Sequence, residues 1–235
     1  MTAADPKPRK PRSRRKPTAA EGVARDDAAL KAAVLEAALP QVPFDGFTDK
    51  VLAEAAAEAG LDKIALARLF PEGPLSLVEA FSDGIDTEME KRLAKLKLAQ
   101  MKIRDRIKTA VTTRLGLLKP HKEAVRRAAA FLTLPPHAAM GAKLLYRTVD
   151  TIWRAIGDTS TDFNFYTKRA ILAAVYSATL MRWFTDDSEG ETVTQEFLAQ
   201  RIENVMQFEK LKADLRERAK GLPSFADFLR GGKRA

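Results

Sequence analysis

Gly157-Asp158-Thr159-Ser160-Thr161-Asp162-Phe163-Asn164-Phe165-Tyr166-Thr167-Lys168-Arg169 runs into Ala170-Ile171-Leu172-Ala173-Ala174-Val175-Tyr176-Ser177-Ala178-Thr179-Leu180-Met181, and the fold turns on how this stretch is read. Ser160, Thr161 and Asp162 each carry an oxygen that accepts a hydrogen bond from the free N–H groups of a first helical turn, so a helix is expected to begin there. From Ala170 to Met181 there is no charge. A helix that is apolar on every side has to be surrounded by other helices, and the run is shorter than the roughly 20 residues that cross a bilayer. It predicts a buried central helix. The first turn fits less simply, because Phe163, Phe165 and Tyr166, spaced at about 100° per residue, cannot all face one core. At least one is expected to reach the surface.

The composition narrows the chemistry. A chain of 235 residues forms one large domain or two small ones, and its 46% hydrophobic content supplies a core. The absence of cysteine excludes disulfides and thiolate chemistry. His121 and His137 are the only histidines, too few for a multi-histidine metal site. The sequence has no Glu-x-x-His pair of the di-iron bundles, no glycine-rich phosphate loop and no nucleophile elbow. A protein without catalytic residues, metal or cofactor is expected. Of the net charge of +9, seven units belong to Lys7, Arg9, Lys10, Arg12, Arg14, Arg15 and Lys16, which leaves +2 for the rest. With Pro6, Pro8, Pro11 and Pro17 among them, residues 1–25 read as a disordered, solvated tail, with non-specific attraction to DNA or anionic lipid as its other use. The tail lacks the apolar run of a secretory signal.

Outward from the central helix, apolar residues recur at helical spacing almost everywhere. Leu30, Val34, Leu35 and Leu39 mark a first helix that Pro40 and Pro43 are expected to end. Thr48 is placed to cap a short helix closed by Gly60, and Asp62 to cap a third, Lys63 to Phe70. A long helix follows through Leu75, Val78, Phe81, Ile85, Met89, Leu93 and Leu96. Helices are expected through Ile103 to Leu118, Val125 to Leu132, Ala138 to Ile156, the central segment, and Val193 to Met206. The fold class is therefore all-α. The expected divisions are a head at 26–74, a larger helical domain at 75–208, and a C-terminal segment at 209–235.

The head, with Phe44-Asp45-Gly46-Phe47-Thr48, Ala59-Gly60-Leu61 and Leu69-Phe70-Pro71, resembles the helix-turn-helix of TetR-type regulators, whose third helix enters the major groove. It departs from that pattern where DNA would be touched. Ala67 stands at the usual aromatic position, Gly73 at the usual basic one, and Ile64, Ala65, Leu66 and Ala67 cannot hydrogen-bond to base edges. Between Phe44 and Leu75 six acids (Asp45, Asp49, Glu54, Glu58, Asp62, Glu72) oppose three bases (Lys50, Lys63, Arg68), a net −3 that phosphates repel. The head is expected not to bind specific DNA.

The central motif, Asp158 to Ala170, resembles the signature of the Coq-nine family, lipid-binding accessory factors of ubiquinone biosynthesis. Thr113-Arg114-Leu115 with Leu118 and Pro120, Leu134-Pro135, and Val149-Asp150 with Trp153 support it, over roughly Leu30 to Met206. Where the family usually shows Trp-Tyr, this chain has Phe165-Tyr166. The resemblance implies a TetR-like fold with a degenerate helix-turn-helix and a cavity for an isoprenoid quinone precursor or a phospholipid. It also implies a partner, the demethoxyubiquinone hydroxylase Coq-seven, to which the precursor is presented without catalysis by this chain. On matching positions the partner-facing patch is Leu115, Asp150, Ile152, Phe165 and Tyr166. Leu144, Leu145, Val149, Trp153, Leu172, Val175, Tyr176, Thr179 and Trp183 are the candidate lipid-binding residues, although each also suits a plain core. A homodimer is expected, in the bacterial cytoplasm at the inner face of the plasma membrane, or on the matrix side in a mitochondrion.

The end of the chain adds one reading of its own. Leu222, Phe225, Phe228 and Leu229 share one face of a short amphipathic helix, with cationic Arg230 at its end, a pattern suited to an anionic membrane surface. The same face also suits folding back onto the domain or a dimer mate. The competing reading of the whole chain is a TetR-type transcriptional regulator that senses a lipophilic effector.

Overall fold

A computed structural model describes residues 19–161 and 163–220, with side chains described within 26–161, 164–208 and 210–211, and every regular element among them is helical. The head consists of α1 (Ala19–Ala38), α2 (Val42–Asp45), α3 (Asp49–Glu58) and α4 (Lys63–Leu69). The bundle consists of α5 (Pro74–Leu93), α6 (Ile103–Leu118), α7 (Lys122–Thr133), α8 (Ala138–Ala155), α9 (Phe163–Phe184) and α10 (Thr192–Lys220). This is the all-α fold that the spacing predicts.

Local chemistry sets most of the boundaries. Thr48 Oγ1 accepts from the Val51 amide at 3.3 Å, and Asp62 Oδ1 from the Ala65 amide at 2.7 Å, each satisfying an orphan donor of a helix start. Two helices end on glycines in the left-handed region. Gly60 (φ +73°) closes α3 with Leu61 N–H donating to Ala56 O, and Gly157 (φ +90°) closes α8 with Asp158 N–H donating to Trp153 O. Both are Schellman motifs, and the second one delivers Asp158 to the foot of α9.

Five expectations change. Helix α1 begins at Ala19, inside the expected tail, because Ala19, Ala20, Glu21 and Ala24 are good helix formers. Pro43 does not end a helix but sits in the first turn of α2, where its missing N–H has no helical partner to lose. The expected boundary at 74 does not separate two cores, since the head's core, Val34, Val51, Leu52 and Phe70, continues through Leu77 and Val78 of α5, Ala124 and Ala128 of α7, and Met140 and Leu144 of α8. No break falls at 209, because α10 runs on to Lys220. Helix α9 is not surrounded, as Ala170, Ala174 and Met181 face outward. Alanine reads as apolar but exposes too little area to force burial. Residues 1–18 of the tail and the membrane-binding candidates Leu222, Phe225, Phe228, Leu229 and Arg230 lie outside the described residues.

Candidate functional site

The buried face of α9 divides the bundle. Leu172, Val175, Tyr176, Thr179 and Trp183 recur at three and four residues and are all buried. A cavity of about 460 Å³ lies on one flank, bounded by α5, α6, α7, α8 and α9, with Phe81, Leu118, Val125, Leu144, Leu145, Tyr176 and Leu180 in its walls. A second, of about 430 Å³, lies on the other flank between α6, α8, α9 and α10, with Ile103, Ile107, Trp153, Leu172, Val175 and Val205 in its walls. The nine lipid-binding candidates therefore do not share one space. Leu144, Leu145 and Tyr176 line the first cavity, Trp153, Leu172 and Val175 the second, and Val149, Thr179 and Trp183 line neither. Those three are core, each fully buried, and the Thr179 hydroxyl donates to the Val175 carbonyl one turn back at 2.7 Å.

The first cavity has a polar floor, of which sequence reasoning singled out Tyr176 alone as a lining residue. Arg114 of α6 is buried and donates through Nε to Asp86 Oδ1 of α5 at 2.7 Å. Its Nη2 donates to Ser82 Oγ and Thr148 Oγ1, each at 3.2 Å, and its Nη1 to the Tyr176 hydroxyl. Thr148 in turn donates to Asp86 Oδ2 at 2.9 Å. Burial opposes the charge on Arg114, but Tyr176 and Asp86 outweigh it and raise its pKa. Burial pushes the Tyr176 phenol above its ordinary value, aided by Asp86 and opposed by Arg114. One signal was available: Arg114 falls in register with Ile107, Val111 and Leu118, on the apolar face of its helix.

A second polar cluster holds the start of α9. Arg169, also buried, donates through Nε to Asp150 Oδ1 at 2.6 Å, and through Nη1 to Asp158 Oδ2 at 3.3 Å and the Phe165 carbonyl at 3.1 Å. Arg154 pairs with Asp150 at 2.7 Å and Lys168 with Asp158 at 2.8 Å. Burial would raise the Asp158 pKa, yet hydrogen bonds from Lys168, Ser160 and Arg169 prevail and hold it below the usual carboxylate range. The Arg169 guanidinium lies 3.4 Å from the centroid of the Phe165 ring, whose neighbour Tyr166 packs edge-on at 5.1 Å. Tyr166 is 67% exposed and Phe165 half-buried, so aromatic surface does appear where the sequence placed it. The rest of the expected partner patch does not join them. Leu115 and Ile152 are core residues at 4% and 0% exposure, and Asp150 spends its oxygens on Arg169 and Arg154. Their helices alternate inward and outward faces that a motif match does not distinguish.

In the head, α4 turns Ile64 outward at 81% exposure, beside exposed Ala67. Arg68, the one cation in the last turn of α4, is bound by Asp27 of α1 through two hydrogen bonds of 2.6 and 2.7 Å. Among the described residues no group of three His, Asp or Glu side chains is arranged to hold a metal ion, and no helix is long and apolar enough to cross a membrane.

A helix-turn-helix head continuous with a helical bundle that carries two apolar cavities defines the class: an all-α protein of TetR-like fold. A TetR transcriptional regulator from Nitrosomonas europaea is similar in structure, with a TM-score of 0.59 at 18% identity over 74% of this chain and 97% of that one, a likeness of fold alone. The particular assignment comes from sequence. Residues 138–209, which hold α8, α9 and the first part of α10, match the COQ9 family. The chain is 36% identical to "Ubiquinone biosynthesis protein COQ9, mitochondrial" of Homo sapiens over 184 residues, 75% of this chain and 58% of that protein. The protein of the same name from Drosophila melanogaster is 31% identical over 78% of this chain and 57% of its own length. A "Probable ubiquinone biosynthesis protein coq9, mitochondrial" of Dictyostelium discoideum is 26% identical over 80% of this chain and 63% of its own. The chain is similar to the COQ9 family, and it spans somewhat under three fifths of the length of its human relative.

Proposed function

We propose that this chain is a non-enzymatic accessory protein of ubiquinone biosynthesis, which binds an isoprenoid quinone precursor in its bundle and presents it to the demethoxyubiquinone hydroxylase. The observation that carries the reading is the pair of largely apolar cavities on the two flanks of α9, inside and beside the segment matched to the COQ9 family. Their volumes lie in the range of small-molecule sites, about 300–1,000 Å³. The hydroxylase docks on Tyr166 and on Phe165, the ring that Arg169 holds from beneath. The chain acts as a homodimer at an anionic membrane surface, and the exposed Phe208 and Leu211 of α10, three residues apart, support an apolar strip on that helix. The site of action is the matrix side of the inner membrane in a mitochondrion, or the inner face of the plasma membrane in a bacterium.

The test is native mass spectrometry of the full chain purified from a quinone-producing host, with solvent extraction of what co-purifies. A stoichiometric isoprenoid quinone precursor is expected. Recovery of an unliganded chain that also fails to take up added precursor overturns the reading. The competing reading, a TetR-type regulator with a lipophilic effector, predicts a sequence-selective duplex complex by a chain lacking residues 1–18. With Arg68 tied to Asp27 and Ile64 facing outward, no such complex is expected.

A further inference from the structure

We propose that the floor of the 460 Å³ cavity is a recognition site for neutral acceptor oxygens, so that a lipid enters it oxygenated end first. This rests on the lipid-binding reading above and adds which end of the ligand goes in and what that end must carry.

The argument is an account of protons. A guanidinium has five N–H donors and no acceptor. Four are committed on Arg114: Nε to Asp86, one on Nη1 to Tyr176, and two on Nη2 to Ser82 and Thr148. Thr148 gives its own proton to Asp86. Three donors remain: the Tyr176 and Ser82 hydroxyl protons and the second N–H on Nη1. Tyr176 and Ser82 act only as acceptors toward Arg114, and neither hydroxyl donates a hydrogen bond among the described residues. Tyr176 is 4% exposed, and Ser82, Arg114 and Tyr176 all line the cavity. Tyr176 and Arg114 are buried and Ser82 is half-buried; buried donors need partners, and an oxygen entering the cavity supplies them.

Charge selects the kind of oxygen. Asp86 already matches the charge of Arg114 at 2.7 Å, so the floor is donor-rich but close to neutral. It favours a carbonyl, ether or quinone oxygen over a carboxylate, which would crowd Asp86, and it offers no acceptor suited to a cation beyond the carboxylate Arg114 occupies. Geometry sets the direction. The cavity has room for a ring and a few methylenes rather than a long chain, while Thr133, Ala138, Ala142 and Met181 form an exposed rim. An apolar tail leaves there, over exposed Leu134 and Pro135 of the α7–α8 turn.

The experiment measures calorimetric binding of two probes to the full chain: decylubiquinone, and decylbenzene as a hydrocarbon of similar shape. The intact chain is expected to prefer the quinone. Tyr176→Phe and Ser82→Ala should each weaken quinone binding about three- to tenfold, the factor of one net hydrogen bond, and leave decylbenzene within twofold. Ala129→Trp, which fills the cavity from the α7 wall, should abolish both. If Tyr176→Phe unfolds the chain, Ser82→Ala and the infrared carbonyl stretch of bound quinone carry the test, with a downshift in the intact chain that the variant relaxes. Equal affinity for both probes, or quinone affinity indifferent to the hydroxyl deletions, overturns the head-first site and leaves the lipid cavity standing. Failure of the intact chain to bind either probe overturns both.

Discussion

Arg114 and Arg169 are both buried guanidiniums paired with aspartate, and they serve different ends. Arg114 joins four helices, α5, α6, α8 and α9, and has one face on a cavity. Arg169 joins the end of α8, the α8–α9 connection and the first turns of α9, and stacks under an aromatic pair that reaches the surface. They also differ in redundancy. Without Arg114, Asp86 keeps Thr148 alone among the described residues, whereas without Arg169, Asp150 keeps Arg154 and Asp158 keeps Lys168 and Ser160. A buried ion pair is therefore weak grounds by itself for guessing what a residue does. The difference lies in what the pair faces and in how many partners its carboxylate has left.

The largest expected effect separates the two arginines directly. Arg114→Met leaves a buried carboxylate without its cation and should destabilise by about 3–5 kcal/mol, read as a shift of the denaturant midpoint at constant slope. Replacing both members, Arg114→Met with Asp86→Leu, should recover most of that loss, because no uncompensated charge remains. Arg169→Met should cost less, about 1–3 kcal/mol, since each aspartate retains a partner. Equal losses from the two single substitutions would show that redundancy of partners is not what distinguishes the sites.

The pH dependence should divide in the same way. Asp158 titrates below its ordinary 3.8 in the folded chain, so its contribution is complete above that value and lost as pH falls through the folded pKa. Asp186, buried but held as an anion by Ser188 and Thr194, adds to the same acid limb. Tyr176 is shifted the other way, above 10.0, so its neutral form is favoured by folding and stability should decline as pH rises beyond 10.0. Thermal melts across pH should show both limbs, with Tyr176→Phe flattening the alkaline one and Asp158→Asn reducing the acid one. An alkaline limb that survives Tyr176→Phe would remove the phenol from this account.

The smallest effect on stability belongs to the surface. Tyr166→Ala should change the unfolding free energy by no more than about 0.5 kcal/mol, while the proposed docking predicts a loss of about 2 kcal/mol or more in affinity for the hydroxylase. A melting temperature that drops by several degrees would make Tyr166 structural and move the partner surface elsewhere.

Much of this protein is legible without coordinates, because its signals are local. Thr48 and Asp62 cap the helices they precede, and Gly60 and Gly157 end the helices they follow, since each acts on backbone groups within a few residues. Among the candidates on the central helix, Leu172, Val175, Tyr176, Thr179 and Trp183 are buried as expected, and the crowding of aromatics at the foot of α9 requires at least one of them to reach the surface, as Tyr166 does. The charge deficit of the head is likewise a property of composition alone. Periodicity gives a face but not what lies opposite it. Whether Leu144 meets a void and Val149 a neighbour depends on the distances between helices far apart in sequence, and so does the division of nine candidates between two cavities and the core. The same holds for Arg114: its register showed a charge on an apolar face, but Asp86, 28 residues away, and Tyr176, 62 away, meet it only in the folded chain. Burial of a charge is stabilised by partners, and partners of that separation are chosen by packing, which no stretch of sequence specifies on its own.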